Sequence, residues 1–341
     1  MSQRNLNATI KIPKLLANKL KNKKVNKIYS FFEKSLKIDK NFIVGVSGGP
    51  DSLALAFLAK IYSIKKRLKV NFLIIDHKLR AESTKEAKYV KRILKKFFIN
   101  SEILTWSGKK PQNNIQSLAR KKRYGLLLSK AKKLGIKNIL LAHHQDDLFE
   151  NFFIRILRGS GLKGLISLSK KSSIGNTNIL RPLLDLKKKD LKFIAHYVFG
   201  FYVDDPSNED EKFQRIRVRK LLFQLEKDGL DKKKFINTIN NLKHSDEVIK
   251  FYVDYNIQKN SFFSDKKNEI ILNSYFFAQP YEVVFRSFSN LISLIGKNYY
   301  PVRGKKLEKI IEETSKRSFF KATLGGCVIK KVNRSLLISK E

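Results

Sequence analysis

The sequence predicts an α/β fold, a doubly wound parallel sheet, followed by a smaller and mainly helical C-terminal domain. Three observations carry this expectation. From Phe42 onward, short apolar β-branched runs alternate with helical segments, the order in which crossover helices join parallel strands. A glycine-rich turn, Ser47-Gly48-Gly49-Pro50-Asp51-Ser52, separates the first such strand from the first helix. Beyond about Arg219 the alternation stops and long helical patterns take over. Three segments are expected: a helical N-terminal extension (1–40), the α/β domain (41–220) and the C-terminal domain (221–341), in which a short β tail follows the helices.

The extension is Lys-rich, with Ile12, Leu15, Leu16, Leu20, Ile28, Phe31 and Phe32 spaced for helices that pack on the domain. It lacks the apolar centre and cleavage site of a secretory leader. Phe42 to Val46 reads as a buried strand, and Asp51 to Tyr62 as a buried helix with Pro50 in its first turn. Val70 to Asp76 is the second strand. Ser83-Thr84-Lys85-Glu86 has the form of a capping box and opens a helix to about Phe98. A short strand over 102–106, a basic helix over 113–134 stopped by Gly135, and an apolar strand over 138–142 follow. A helix then runs from about Gln145 to Leu157. In the C-terminal domain, helical segments near 221–241, 247–256 and 300–314 precede β pieces at 325–329 and 335–338.

Composition narrows the function. Lys and Arg total 71 against 30 acidic residues, a net charge of +41, and a field of that sign attracts polyanions, nucleic acid foremost. The single cysteine, Cys327, excludes an internal disulfide framework and a Cys-x-x-Cys metal or redox site. No apolar run approaches the length of a membrane span, so a cytoplasmic protein with no membrane partner is expected.

The polar clusters fall where strands end, the place ligands occupy in open α/β sheets. Gly48 and Gly49 admit close backbone approach. The free N–H groups and dipole of the following helix, with the Ser47 and Ser52 hydroxyls, then make a site for phosphate or pyrophosphate. Neither the Walker pattern nor GxGxxG is present. After the second strand, Asp76 suits an adenosine or ribose contact, and His77 and Arg80 suit phosphate. Gln116, Arg120, Arg123 and Tyr124 share one helix face, and the Arg pair fits nucleotide phosphate or RNA backbone.

His143-His144-Gln145-Asp146-Asp147 begins at a strand end, and Asp146 and Asp147 both neighbour Glu150 on the helix that follows. Such a carboxylate cluster in a basic chain fits either oxygen ligation of Mg2+ on ATP phosphates or an anionic pocket for a cationic substrate. The adjacent histidines lack the i, i+4 spacing of a helical zinc pair. Arg155 and Arg158, running into Gly159-Ser160-Gly161, form a basic helix exit suited to RNA phosphates. Arg215, Arg217 and Arg219 alternate, so an extended segment would place the three guanidiniums on one side as an RNA backbone clamp.

Together these motifs, with Arg181-Pro182-Leu183-Leu184 and Asp205-Pro206-Ser207-Asn208, resemble the tRNA(Ile)-lysidine synthases, a branch of the PP-loop ATP pyrophosphatases. They occur in the family's order over residues 42 to about 219. The resemblance implies that ATP adenylates O2 of the wobble cytidine in tRNA(Ile) with a CAU anticodon, and that the ε-amine of free L-lysine displaces AMP at C2. It further implies that Ser47 to Ser52 and His143 serve ATP, that Asp51 with Asp146 or Asp147 holds Mg2+ and the substrate's ammonium groups, and that Arg120 and Arg123 stabilise phosphate charge. Two departures stand out: Leu148-Phe149-Glu150-Asn151 replaces a common Gln-x-Glu-Thr, and Ile216 replaces a common Asn. A homodimer is a candidate assembly. The rival readings are a 2-thiocytidine-type tRNA modification, for which one cysteine supplies too few cluster ligands, and a non-catalytic RNA-binding protein on the same fold.

Overall fold

The computed structural model describes residues 12–78, 82–106, 108, 115–204, 212–264, 268–297, 302, 304–316 and 320–341. The chain divides after Gly229 into two compact units.

The first unit opens with α1 (Lys14–Leu20) and α2 (Lys23–Ser35), the latter capped by the Asn22 side chain, which accepts from the Lys24 and Val25 N–H groups. Next come β1 (Phe42–Val46), α3 (Pro50–Lys65), β2 (Val70–Asp76), α4 (Ser83–Lys96), β3 (Ser101–Thr105), α5 (Ile115–Leu134), β4 (Asn138–Leu140) and α6 (Gln145–Ile156). The short α7 (Leu162–Leu165), a hairpin of β5 (Lys171–Ile174) and β6 (Thr177–Leu180), α8 (Lys188–Phe199) and α9 (Gln214–Lys227) complete it.

The sheet order is β3-β2-β1-β4-β6-β5, parallel except for β5, which pairs antiparallel with β6. Alternation along the strands sends Phe42, Val44, Val46, Phe72 and Ile74 into a core shared with α2, α3, α4 and α8, while Ile43, Leu73, Ile139 and Ile179 pack on Leu127 and Ala131 of α5. Both faces are therefore covered, as a parallel sheet requires. Leu16 of α1 and Ile28 and Phe32 of α2 join the first core, whereas Leu15 and Phe31 are exposed. Helix α3 is apolar on nearly every side because it is enclosed; fully buried Leu53, Leu55, Phe57 and Leu58 each stabilise by about 1.5–3 kcal/mol.

The chain winds outward from β1 to β2 and β3, then returns to β4 on the opposite side of β1. That reversal is a topological switch point, and it leaves a crevice between the loops that follow β1 and β4.

Two local expectations are corrected. Ser83 does not cap α4: Glu82 stands at the N-cap with no side-chain cap bond, and the Ser83 and Thr84 hydroxyls donate instead to the buried Asp76 carboxylate at 3.0 and 2.6 Å. Arg215, Arg217 and Arg219 are not on an extended segment but on α9. A helical turn brings Arg215 and Arg219 to one face and turns Arg217 away.

The second unit contains α10 (Lys232–Asn260), β7 (Ser261–Ser264), β8 (Glu269–Leu272), α11 (Ser274–Phe277), α12 (Tyr281–Ile295), α13 (Gly304–Lys316), β9 (Phe320–Leu324), β10 (Cys327–Val332) and β11 (Ser335–Lys340). Its strands form an antiparallel sheet, β7-β8-β11-β10-β9, larger than the short tail expected. Ile270, Phe288, Ile292, Leu307, Cys327 and Ile338 lie in its core. Among the described residues no helix is long and apolar enough to cross a membrane.

Candidate active site

The loop after β1 is closed by its own hydroxyls. Ser47 donates from its N–H (3.1 Å) and from Oγ (3.3 Å) to Ser52 Oγ, which in turn donates to the Gly49 carbonyl at 2.9 Å. Ser52 is buried and its proton is engaged, so it staples the loop and does not offer the free donor expected of it. Gly48 has φ +87°, and a Cβ there would come within 2.7 Å of Val90 Cγ2 and 3.0 Å of Val203 Cγ2. Only glycine meets both conditions. Its carbonyl accepts from the Val203 N–H at 3.0 Å, which ties the loop to the segment after α8.

Gly49 is the N-cap of α3 without a side-chain cap, and Pro50 occupies the first turn. A Cβ on Gly49 would meet only Ser47 Oγ, at 3.9 Å. Uncapped N–H groups at the head of a 16-residue helix, facing open space, suit an anion.

The loop after β4 meets it. His144 caps α6 reciprocally, its Nδ1 accepting from the Asp146 N–H (3.2 Å) while Asp147 Oδ2 accepts from the His144 N–H (3.0 Å). With Nδ1 accepting, Nε2 carries the proton. Nε2 lies 3.4 Å from Asp51 Oδ2 and 3.7 Å from Asp147 Oδ2, so one imidazole joins the heads of α3 and α6. Burial lowers the His144 pKa, but Asp51, Asp147 and Asp146 outweigh it and hold the net shift upward. Burial pushes the Asp147 carboxyl up, and His144, the cap bond and Arg215 more than reverse this, so it stays ionised. Asp51 Oδ1 is buried without a partner. Among the described residues no three His, Cys, Asp or Glu side chains gather as a metal cage.

His143 is different. Burial, with Arg181, Arg123 and Arg120 nearby, pushes its pKa down to about 3 in spite of Asp147. It is a neutral imidazole whose Nδ1 is buried and unpartnered.

Cations line the other side. Arg123 of α5 is partly buried, with its Nε sealed from solvent and unpartnered, and Arg120, Arg215 and Asp147 all act on it. The Arg120 guanidinium lies 5.4 Å from the Tyr124 ring centre. His77, after β2, has a buried Nδ1 without a partner and feels the Arg123 charge. Arg155 is partly buried with Arg158 and Arg120 as like-charged neighbours. The exposed Arg158 donates to Gln214 Oε1 at 3.0 Å, and Arg217 to the Lys212 carbonyl at 3.2 Å.

Two sequence assignments change. Glu150 is not open to a ligand: it is 2% exposed, and Arg219 donates to it from Nε at 2.5 Å. The carboxylate expected in the pocket and the guanidinium expected in the clamp are thus paired with each other. Asp76 is likewise engaged, accepting from Ser83, Thr84 and the Lys78 N–H. Burial raises its pKa, and these bonds more than reverse the shift, holding it below the ordinary carboxylate range. Arg80, Gln112 to Asn114 and Asp205-Pro206-Ser207-Asn208 lie outside the described residues. The motif residue Arg181, given no role from sequence, proves to act electrostatically on His143.

A family model described as a PP-loop domain matches residues 19–226. The tRNA(Ile)-lysidine synthase of Orientia tsutsugamushi (strain Boryong) is 33% identical over 321 residues, spanning 92% of this chain and 71% of that protein. The chain belongs to the tRNA(Ile)-lysidine synthase family. Further family members are the synthases of Wolbachia sp. subsp. Brugia malayi, 32% identical over 87% of this chain and 70% of that one, and of Bradyrhizobium sp. (strain BTAi1), 31% identical over 87% and 88%. Among solved structures, the U34-tRNA thiolase NcsA of Methanococcus maripaludis shares the fold, with a TM-score of 0.56 and 16% identity over 65% of this chain and 79% of that one. The PP-loop domain match covers the elements that build the crevice, from α2 to all but the last residue of α9.

Proposed function

We propose that this chain adenylates the wobble cytidine of a CAU-anticodon tRNA(Ile) with ATP and joins L-lysine to it, giving lysidine, AMP and pyrophosphate. The observation that carries the reading is the meeting, at the switch point, of an uncapped glycine cradle with the Asp51–His144–Asp147 bridge. Orphaned buried atoms on Asp51, His143, His77 and Arg123 surround the same crevice, and such atoms call for a polar ligand.

In the first step cytidine O2 attacks the α-phosphorus of ATP and pyrophosphate leaves. The N–H groups of Gly49, Asp51 and Ser52 hold the departing pyrophosphate, and Arg120 and Arg123 offset charge on the reacting phosphate. In the second step the lysine ε-amine, entering as the free base, bonds to C2 while the C2–O bond breaks and AMP departs; the amine's surplus proton passes to solvent. Asp147, held ionised, orients an ammonium group and does not take a proton. Asp146, partly exposed beside it, contributes to the same pocket. His143 stays neutral and accepts a hydrogen bond.

Asp51 and Asp147 fit Mg2+, since Asp51 keeps a buried oxygen without a partner; the ion, usually held by one or two carboxylates plus phosphates and water, supplies charge neutralisation on ATP. Arg155, Arg158 and Arg215 serve RNA phosphates.

The test is incorporation of radiolabelled lysine into unmodified CAU tRNA(Ile) with ATP and Mg2+. Incorporation that needs ATP and vanishes with a C-to-U wobble change is expected. Pyrophosphate release without lysine transfer would overturn lysine as the acceptor's partner.

A further inference from the structure

The motif Arg181-Pro182-Leu183-Leu184 leaves β6 at the carboxyl edge of the sheet, one strand beyond β4 and its His143–His144 pair. Pro182, Leu183 and Leu184 are buried and explained by packing. Arg181 is buried with them, 6% exposed, and a buried guanidinium is costly unless it is compensated. Among the described residues, the groups that act on its charge are Tyr124, whose side chain also hydrogen-bonds it, and Arg120, with no carboxylate among them.

Its hydrogen bonding is half complete. Nη1 donates to the Ser169 carbonyl at 3.0 Å and to Ser172 Oγ at 2.9 Å. These bonds latch the β5–β6 hairpin and fix the plane of the fork. The Nε is sealed from solvent and has no partner among the described residues. His143, which feels the Arg181 charge, likewise keeps an unpartnered buried Nδ1. The latch through Nη1 and the Tyr124 contact still leave Nε and the missing counter-charge unexplained.

We infer that Arg181 is an anion-binding residue of the active site, donating from Nε to a phosphate oxygen in company with Arg120 and Arg123. The inference rests on the nucleotide reading of the glycine loop. The phosphate belongs to the ATP polyphosphate or to the RNA backbone, since both present the same oxyanion to a guanidinium.

The test uses the full chain as wild type, Arg181→Gln, Arg181→Lys and Ser172→Ala, with KM for ATP, tRNA and lysine and the melting temperature of each. Arg181→Gln raises KM for one of the two anionic substrates by about 10- to 100-fold, the loss of one charge-assisted hydrogen bond, and leaves the lysine KM unchanged. A rise for ATP assigns the polyphosphate; a rise for tRNA assigns the backbone. Arg181→Lys recovers part of the loss, because it keeps the charge without the fixed Nε. Ser172→Ala, which cuts only the latch, leaves both values in place.

KM values for ATP and tRNA in Arg181→Gln that stay within about twofold of wild type, or a Ser172→Ala variant that reproduces the Arg181→Gln defect, would overturn the inference. Should Arg181→Gln fail to fold, the Nε resonance of Arg181 in 15N-arginine-labelled wild type, assigned by its absence in Arg181→Lys, decides the matter. A saturable shift with inorganic pyrophosphate or an anticodon-stem RNA supports the inference, and no shift with either overturns it. A wild type whose melting point ignores both ATP and pyrophosphate would instead remove the reading of the glycine loop itself.

Discussion

Arg219 of α9 donates from Nε to the Glu150 carboxylate of α6 at 2.5 Å, across 69 residues of chain. Burial pushes the Glu150 pKa up despite this partner, whereas Glu150 raises that of Arg219 against the effect of burial. The short contact favours an ion pair, with the two charges offsetting one another's desolvation. The pair therefore stands in for a ligand that the carboxylate would otherwise seek, and it brings Arg215, one turn earlier, close enough to act on Asp147.

Removing one partner strands the other. Glu150→Ala is expected to cost about 3 kcal/mol of unfolding free energy, and the double variant Glu150→Met with Arg219→Met to recover most of it. Urea denaturation of the three proteins checks this. A double variant no more stable than Glu150→Ala would show that the loss does not come from stranding the partner's charge.

Gly48→Ala imposes strain at φ +87° and a 2.7 Å approach to Val90. Because the nucleotide would lie against this loop, the variant should remove ATP-dependent stabilisation and lysine transfer while the rest of the domain stays folded. Thermal melts with and without ATP, alongside circular dichroism, test the split. A variant that binds ATP normally would argue against the cradle.

His143 provides a pH signature. Its folded-state pKa, about 3, lies below its ordinary value of 6.5, so on acidification the unfolded chain takes up the proton first. Stability from this group is complete above the ordinary value and is lost as pH falls toward 3, at up to about 1.4 kcal/mol per pH unit. Asp76 also loses its contribution on acidification, but only below the ordinary carboxylate value of 3.8. Between pH 6 and 4.5, His143→Gln should flatten the slope of unfolding free energy against pH. An unchanged slope in that variant would assign the acid sensitivity elsewhere.

Trp106 is the chain's one tryptophan, and its backbone N–H donates to the Asp76 carbonyl at 2.9 Å. Its indole is buried, with Lys122 at 5.9 Å from the ring centre. ATP seated beyond the ends of β2 and β1 should shift its emission saturably, with the same midpoint as ATP-dependent stabilisation. Emission indifferent to saturating ATP would place the nucleotide away from β2.

The segment from β1 through the glycine loop to α3 was legible because its signals are local. Strand run, glycine pair and helix head are contiguous, and positive φ at Gly48 is a demand on one residue. The acidic motif was legible for the same reason, since residues three and four apart on a helix share a face. Partner choice was not legible. Ser83 and Thr84 have the local form of a cap, yet Asp76, brought beside them by the β2–α4 turn, takes both hydroxyls. Alternating arginines fit a strand as well as a helix, and α9 became helical with Ile216, Val218 and Leu222 buried.

By itself, then, the sequence determined the order of strands and helices, the glycine-rich loop at a helix head and the family of chemistry, because backbone preference and side-chain periodicity act over a few residues. Only the tertiary structure decided which polar groups are open to a ligand. It gave Glu150 to Arg219 and Asp76 to its hydroxyls, and it left Asp51, His143, Arg123 and Arg181 with unsatisfied buried atoms. A buried charge settles on whichever partner the fold brings within reach, and that distance is a property of the packed sheet and not of spacing along the chain.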